Sequence, residues 1–243
     1  MRLPTHGPHV LVAPEAVGDD VAELAAEDAH HLTRSLRRGE GDAVSVADGH
    51  GTVWQGRIVR RDPSVLVALE ERHDIPPPDP PVWVVHALPT GRKLDEVVRR
   101  LSELGVDRLE PVVSARCENR PSRAKAQKAR QRWEAVAVAA AKQARRARPL
   151  EIAPVGTWPG ALDAEPGGAV LWEEAAQPLG DVLARARVDR PAVLGIGPEG
   201  GLADAEVQAA APPAASLGPT VLRTETASVA AAAIALERLG RLG

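Results

Sequence analysis

The chain of 243 residues has no phenylalanine, no tyrosine, one cysteine and one methionine. Without Phe and Tyr, the core must be filled by Val, Leu, Ala and the five tryptophans. Any stacking on nucleic-acid bases then falls to arginine planes or a Trp. With Cys117 alone, no intrachain disulfide can form, which fits a reducing cytoplasm. A cysteine-built zinc site is excluded for the same reason. No run of eighteen apolar residues occurs, so no membrane span is expected. No basic stretch leads into an apolar one at the N-terminus, so no secretory signal is expected either.

The second half of the chain has no histidine. All seven histidines lie at or before His86. Nucleophilic catalysis of the Ser-His-Asp or Cys-His kind would need the first half to reach over. No histidine is therefore expected beside motifs near the C-terminus. His30-His31 would diverge on a helix, and His31 reads as a packing or capping residue. No set of histidines and carboxylates has metal spacing, so no metal is expected. No G-x-x-x-x-G-K-[ST] occurs, which argues against a P-loop ATPase.

The charge is uneven. Arg116 to Arg148 holds eleven Lys and Arg against Glu118 and Glu134, a local charge of +9. With a net charge of −3, the remainder carries −12. A basic segment on an acidic body points to a polyanionic partner such as RNA. Within it, Ala129, Trp133, Val136, Ala137, Ala140 and Ala144 recur at helical spacing and predict a narrow face that packs closely. Ser122 is the expected N-cap and Pro149 the expected end. Arg130, Arg132, Lys142, Arg145 and Arg146 fall on the remaining circumference.

Ile75-Pro76-Pro77-Pro78-Asp79-Pro80-Pro81 can form neither a helix nor a central strand, and reads as a stiff linker. It separates a domain at 1–75 from one at 82–243, with 76–81 between. The first domain reads as a small β-barrel with one helix over Ala26 to Leu36. Its strands are Ala43 to Ala47, Val53 to Arg60 and Val65 to Glu70, with a turn at Asp48-Gly49-His50-Gly51. The second alternates strand and helix. Val82 to Val85, Leu109 to Val113, Ala169 to Trp172 and Ala192 to Ile196 are strands. Lys93 to Leu104, stopped by Gly105, and Thr226 to Leu239 are helices. Continuous apolar runs predict parallel strands buried on both faces, hence an α/β class.

Two motifs carry the chemistry. Gly195-Ile196-Gly197-Pro198-Glu199-Gly200-Gly201 follows the apolar run Ala192 to Leu194 and fits G-x-G-x-x-G. Only 43 residues follow Gly200, too few to complete a doubly wound nucleotide fold. Glu199 would repel a pyrophosphate but suits a cationic ligand such as the sulfonium of S-adenosylmethionine. Glu225 stands near the offset of a ribose-binding acid. It sits, however, inside Leu222-Arg223-Thr224-Glu225-Thr226-Ala227, which reads as a helix start capped by Thr224 or Thr226. A methyl-donor site is the better reading, and a nicotinamide site the weaker one.

Gly197-Pro198-Glu199-Gly200-Gly201, Leu217-Gly218 and Leu222 to Ala227 together closely resemble the 16S rRNA (uracil-N3)-methyltransferases of the SPOUT superfamily. Ser102-Glu103-Leu104-Gly105-Val106, Ser114-Ala115-Arg116-Cys117, Arg132-Trp133 and Gln143 with Arg146 resemble further elements of that family. So do His30-His31-Leu32, Leu36-Arg37, Gly41-Asp42 and Asp48 to Gly51 in its PUA-like barrel. The likeness runs over nearly the full length. It departs at Ser35, Ala47, Ala139, Ala141 and Ala144, and at none of the glycines or charges of the cofactor loops.

The resemblance implies a SPOUT-type parallel sheet with a C-terminal trefoil knot, preceded by a PUA-like β-barrel, and a cytoplasmic homodimer. It implies N3-methylation of uridine 1498 of 16S rRNA in the 30S subunit, with S-adenosylmethionine as donor. No DNA or membrane partner is implied. The cofactor would be held by Leu171, Gly195, Ile196, Gly197, Pro198, Glu199, Gly200, Gly201, Leu217, Gly218, Leu222, Arg223, Thr224, Glu225, Thr226 and Ala227. Arg223 is the candidate for charge stabilisation, with Arg116 and Arg146 as alternatives, and Glu199 or Glu225 for taking the proton. Arg2, Arg37, Arg92, Arg116, Gln143 and Arg146 are the RNA-contact candidates. Action on another RNA such as tRNA, or a non-catalytic role in ribosome assembly, stay open as alternatives.

Overall fold

The computed structural model describes residues 7–162, 167–186 and 189–242. They fall into two compact units, Met1–Pro77 with Ala141–Pro149, and Pro78–Ala140 with Leu150–Gly243. Arg2 lies outside the described residues.

The first unit is a five-stranded sheet of β1 (His9–Leu11), β2 (Val21–Glu23), β3 (Ala43–Ala47), β4 (Thr52–Arg60) and β5 (Leu66–Asp74) in the order β1-β3-β4-β5-β2. β1 joins β3 in parallel; the other pairings are antiparallel. Val10, Val44, Val46, Ile58 and Val67 form its core with Leu24 and Leu32. β1 and β2 are too short for alternation to register in the sequence, while β3, β4 and β5 follow it. Asp48 makes the expected turn: its Oδ1 accepts from the N–H groups of His50, Gly51 and Thr52 at 2.7–3.0 Å. The helix α1 (Ala26–His30) runs on through one wide turn, His31 to Ser35, that buries Leu32. Of the packing or capping role expected of His31, packing does not hold, since the residue is exposed, and it stands at the C-cap of α1.

Residues 141–149 were expected to belong to the second domain, but they pack with the first. Lys142 Nζ donates to both oxygens of Asp28, at 2.6 and 2.8 Å. His9 bridges Ser45 Oγ through Nδ1 and the Arg146 carbonyl through Nε2. Ala147 is buried with Ala47 and Val53. Arg145 takes a left-handed φ of 56°, and its guanidinium donates to the Gly7 carbonyl. These pairings are long-range and leave no mark in local periodicity.

In the second unit, β6 (Val82–Ala87) leads into α2 (Lys93–Leu104) and β7 (Arg108–Val113). The basic helix α3 (Arg123–Gln143) follows, then β8 (Glu151–Ile152), β9 (Gly156–Thr157), α4 (Trp158–Leu162) and β10 (Ala169–Leu171). The chain closes with α5 (Leu179–Arg185), β11 (Ala192–Ile196), α6 (Asp204–Ala209), β12 (Ala214–Ala215) and α7 (Thr224–Arg238). The sheet order is β12-β10-β11-β6-β7-β8, with β9 also paired to β7, and all these pairings are parallel. β11 is buried throughout, as a central strand covered on both faces must be.

α2 buries Leu94, Val97, Val98 and Leu101 and ends at Gly105, whose φ of 98° closes the helix in the left-handed region. α3 starts directly after Ser122 and buries Trp133, Ala137 and Ala140, the expected small-residue face. It stops at Gln143, short of Pro149, because Arg145 turns left-handed. Among the described residues, no helix is long and apolar enough to cross a membrane.

Candidate functional site

Parallel strands place their loops at their C-terminal ends, where ligands of such sheets bind. Here the loops after β10 and β11, the segment 217–223 and the first turn of α7 enclose a cavity of about 410 Å³. Of the expected cofactor residues, Leu171, Ile196 to Glu199, Gly201, Leu217, Gly218, Leu222 to Glu225 and Ala227 line it. Gly195, Gly200 and Thr226 do not. A Cβ on Gly195 would lie 3.2 Å from Trp158 and 3.3 Å from Val170, so that glycine serves core packing. Lys93, Trp172, Glu173 and Leu202 line the cavity too and were missed, since no local pattern marks them. Gly201 holds a φ of 70°, which an L side chain rarely adopts.

Glu199 does not present a free carboxylate to a cation, as the sequence suggested. Its Oε1 accepts from Lys93 Nζ at 2.6 Å, from Thr90 Oγ1 at 2.8 Å and from the Thr90 N–H at 3.1 Å. Partial burial would raise its pKa. The Lys93 ammonium, its own backbone N–H and the two Thr90 donors outweigh that and hold it at about 2. The residue ties the glycine loop to the start of α2.

Glu225 differs. Its Oε2 is buried on the cavity wall without a hydrogen-bond partner. Buried polar atoms are rarely left so, and an orphan acceptor facing a cavity fits a ligand that donates. Arg223 is exposed at the N-cap of α7 and lines the same cavity.

Arg116 stands beside the glycine loop, with Nη1 3.3 Å from the Gly200 carbonyl. Its loop is fixed from two sides. The Ala115 N–H donates to Glu206 Oε1 at 2.7 Å, while Glu206 Oε2 accepts from the Ala203 N–H at 3.1 Å. Arg120 Nη2 donates to the carbonyls of Ser114 and Ala115. Cys117 is buried in the same turn, its Sγ 3.4 Å from the Leu88 carbonyl.

The expectation that no histidine stands near the motifs fails. His86 is the last but one residue of β6, opposite Ile196, and is fully buried. Its Nδ1 lies 2.6 Å from the Ala87 carbonyl and its Nε2 3.1 Å from Thr224 Oγ1. Thr224 Oγ1 is in turn 3.0 Å from the Gly197 carbonyl. Thr224 therefore reaches across to other strands instead of capping α7, as sequence suggested. Burial dominates His86 and lowers its pKa to about 4, against the weaker pull of the Ala87 carbonyl and of Glu199 and Glu225. The sequence gap, from β6 to α7, hides this contact.

Of the RNA-contact candidates, Arg92 and Arg116 are exposed in the second unit. Arg37, Gln143 and Arg146 belong to the first. Arg37 has a left-handed φ of 53°. Arg132 and Trp133 both donate to Asp95 Oδ1, at 3.0–3.1 and 2.9 Å, so that pair clamps α3 to α2. Arg130 pairs with Glu134. Arg123, Lys125 and Lys128 stay exposed on the outer face of α3. Among the described residues, no cluster of His, Cys, Asp and Glu could hold a metal ion.

A family model described as an RNA methyltransferase domain matches residues 77–236, and one described as an RNA methyltransferase PUA domain matches 24–69. The ribosomal RNA small subunit methyltransferase E of Mycobacterium tuberculosis is 34% identical over 233 residues, which is 91% of this chain and 87% of that one. Its namesake from Synechocystis is 29% identical over 235 residues, 92% and 75% of the two chains. The crystal structure of the Neisseria gonorrhoeae ribosomal RNA small subunit methyltransferase E bound to S-adenosyl methionine matches with a TM-score of 0.81 at 26% identity, over 96% and 98%. A Legionella pneumophila methyltransferase structure matches in fold with a TM-score of 0.80 at 24% identity, over 94% and 96%.

Proposed function

We propose a function from a premise these matches make plain: the chain belongs to the RNA methyltransferase family, and within it to the ribosomal RNA small subunit methyltransferases E. It is an S-adenosylmethionine-dependent methyltransferase of small-subunit rRNA. The finer reading is methylation at N3 of uridine 1498 in the 30S subunit, by a cytoplasmic homodimer. The observation that carries the reading is the cavity walled by both the glycine loop and the Leu222 to Ala227 turn, with an unpartnered carboxylate oxygen on its wall. The return of α7 onto β6 and β11, with β10 and β11 lying between β12 and β6, supports a trefoil knot in this segment. Val221, exposed beside the cavity, and Ile234, exposed on α7, support a partner subunit there. The PUA-like unit supplies further RNA contact, with Arg37, Gln143 and Arg146 as its candidates.

When bound, S-adenosylmethionine supplies an electrophilic methyl group on a sulfonium. The loop from Gly197 to Gly201 and the segment from Leu217 to Ala227 would hold it. Uracil N3 lies on the Watson–Crick edge, so the base must be unpaired or flipped outward. Losing the N3 proton spreads negative charge over O2, N3 and O4. Arg223 on the cavity wall, or Arg116 at its edge, faces that charge. Glu225 has the free oxygen to take the proton; Glu199, held ionised near pKa 2 and engaged with Lys93, is a poor base. Alignment of methyl and N3 contributes the rest.

The test is transfer of labelled methyl from S-adenosylmethionine to 30S subunits that lack their own uridine N3 methylation, with the product nucleoside located by mass spectrometry. N3-methyluridine at the single expected position supports the reading. Transfer to another RNA alone would replace its substrate.

A further inference from the structure

Arg116, in the loop after β7, and Glu173, in the loop after β10, converge on Gly201. A Cβ at position 201 would lie 3.4 Å from Glu173 Oε1 and 3.6 Å from Arg116 Nη1. The glycine therefore leaves a gap that a carboxylate and a guanidinium both border. Opposite charges so placed are expected to close on each other or on a third group. Among the described residues no ion pair joins the two, and the Glu173 carboxylate has no hydrogen-bond partner. Arg116 gives one contact, at 3.3 Å, to the Gly200 carbonyl, and its guanidinium keeps further N–H groups.

The other carboxylates of the cavity wall are not available in this way. Glu199 is held by Lys93 and Thr90, and Glu225 has its unpartnered oxygen buried. Glu173 is exposed and lines the same wall. A gap bordered by an acceptor and a donor of opposite charge suits a ligand that carries an ammonium and a carboxylate close together. An α-amino acid bears both on one carbon. A guanidinium pairs with a carboxylate through parallel N–H groups, and a carboxylate accepts from an ammonium. S-adenosylmethionine ends in such a head.

We infer that Glu173 and Arg116 form the subsite for the amino-acid end of the methyl donor, Glu173 accepting from its α-ammonium and Arg116 donating to its α-carboxylate. The inference rests on the proposed methyltransferase function. The sequence placed the cationic ligand at Glu199, but the unpaired acid is Glu173, which no motif contains. With Arg116 engaged in this way, Arg223 is left to face the charge that forms on uracil.

The experiment is calorimetry on the full chain with three ligands. S-adenosylmethionine carries the head and the sulfonium. S-adenosylhomocysteine carries the head without the sulfonium charge, and methylthioadenosine lacks the head altogether. Glu173→Gln and Arg116→Gln are each expected to weaken the first two ligands about five- to tenfold, as loss of an exposed charge-assisted contact does. Methylthioadenosine has no group for either residue, so its affinity should stay within about twofold of the parent's. In the double variant, S-adenosylhomocysteine should bind about as tightly as methylthioadenosine. Arg116→Lys, which keeps the charge, should recover part of the loss. Equal losses on all three ligands would overturn the inference, since the residues would then only shape the loop. A loss confined to S-adenosylmethionine would overturn it in favour of the sulfonium. Unchanged donor binding with a raised KM for 30S subunits would overturn it in favour of the RNA base. Failure of the unaltered chain to bind S-adenosylmethionine would overturn it together with the function it rests on.

Discussion

Lys93 Nζ lies 2.6 Å from Glu199 Oε1, so the first residue of α2 anchors the glycine loop that follows β11. The two stand 106 residues apart in sequence. The acid inside the loop is occupied by a lysine of the same unit, which changes what each glutamate of the site can do.

Glu199→Gln removes the charge from this tie but keeps the shape. Donor binding is expected to weaken several-fold, while turnover at saturating donor stays within about tenfold of the parent, well short of the loss expected for a proton acceptor. Calorimetry and saturating kinetics separate the two effects. A collapse of turnover with donor affinity intact would assign the base to Glu199 after all.

Glu225→Gln should do the reverse. Turnover is expected to fall by about 10² or more, the usual contribution of a positioned proton acceptor. Near-parental turnover in this variant would leave the carboxylate to cofactor binding alone.

His86 makes stability depend on pH. Its folded pKa of about 4 lies below the ordinary 6.5, so the unfolded chain takes up the proton first. The contribution is full above pH 6.5 and is lost as pH falls through 4. The shift corresponds to roughly 3 kcal/mol at most. Thermal unfolding of the parent should therefore drop between pH 6.5 and 4, and His86→Gln should flatten that slope. His9, whose pKa burial also lowers, leaves a residual slope in the variant. Identical slopes in the two proteins would contradict the assignment.

Arg123, Lys125 and Lys128 face outward on α3, whereas Arg130 and Arg132 are held by Glu134 and Asp95. Changing the three exposed residues to Gln should weaken RNA binding and reduce the salt slope by about two to three, at ~0.7–0.9 per phosphate contact. Replacing Arg132 should instead cost stability, because it and Trp133 share Asp95. A salt slope unchanged by the triple substitution would move the RNA to another face.

The strands β3 to β7, β10 and β11, with α2 and α7, were legible because apolar runs and the glycine at 105 speak through local spacing, whereas β1, β2, β8, β9 and β12 span only two or three residues. The glycine loop was legible by its spacing, and it lines the cavity. The occupation of Glu199 was not, since the lysine that holds it lies across the sheet. Nor was His86: a histidine at the end of an apolar strand reads as core, and its neighbours come from β11 and α7. Arg132-Trp133 stood out as a motif, yet its use as a clamp on Asp95 needs the packing of two helices to be seen.

The chain passes from the first unit to the second at Pro77, returns at Ala141 and leaves again after Pro149. Asp28 waits for Lys142, and His9 for the Arg146 carbonyl. A chain synthesised from its N-terminus therefore cannot finish its first unit when that unit's strands have emerged. Completion is deferred until α3 has been made, so the first seventy-seven residues expressed alone would leave the Asp28 carboxylate without Lys142 and His9 Nε2 without the Arg146 carbonyl.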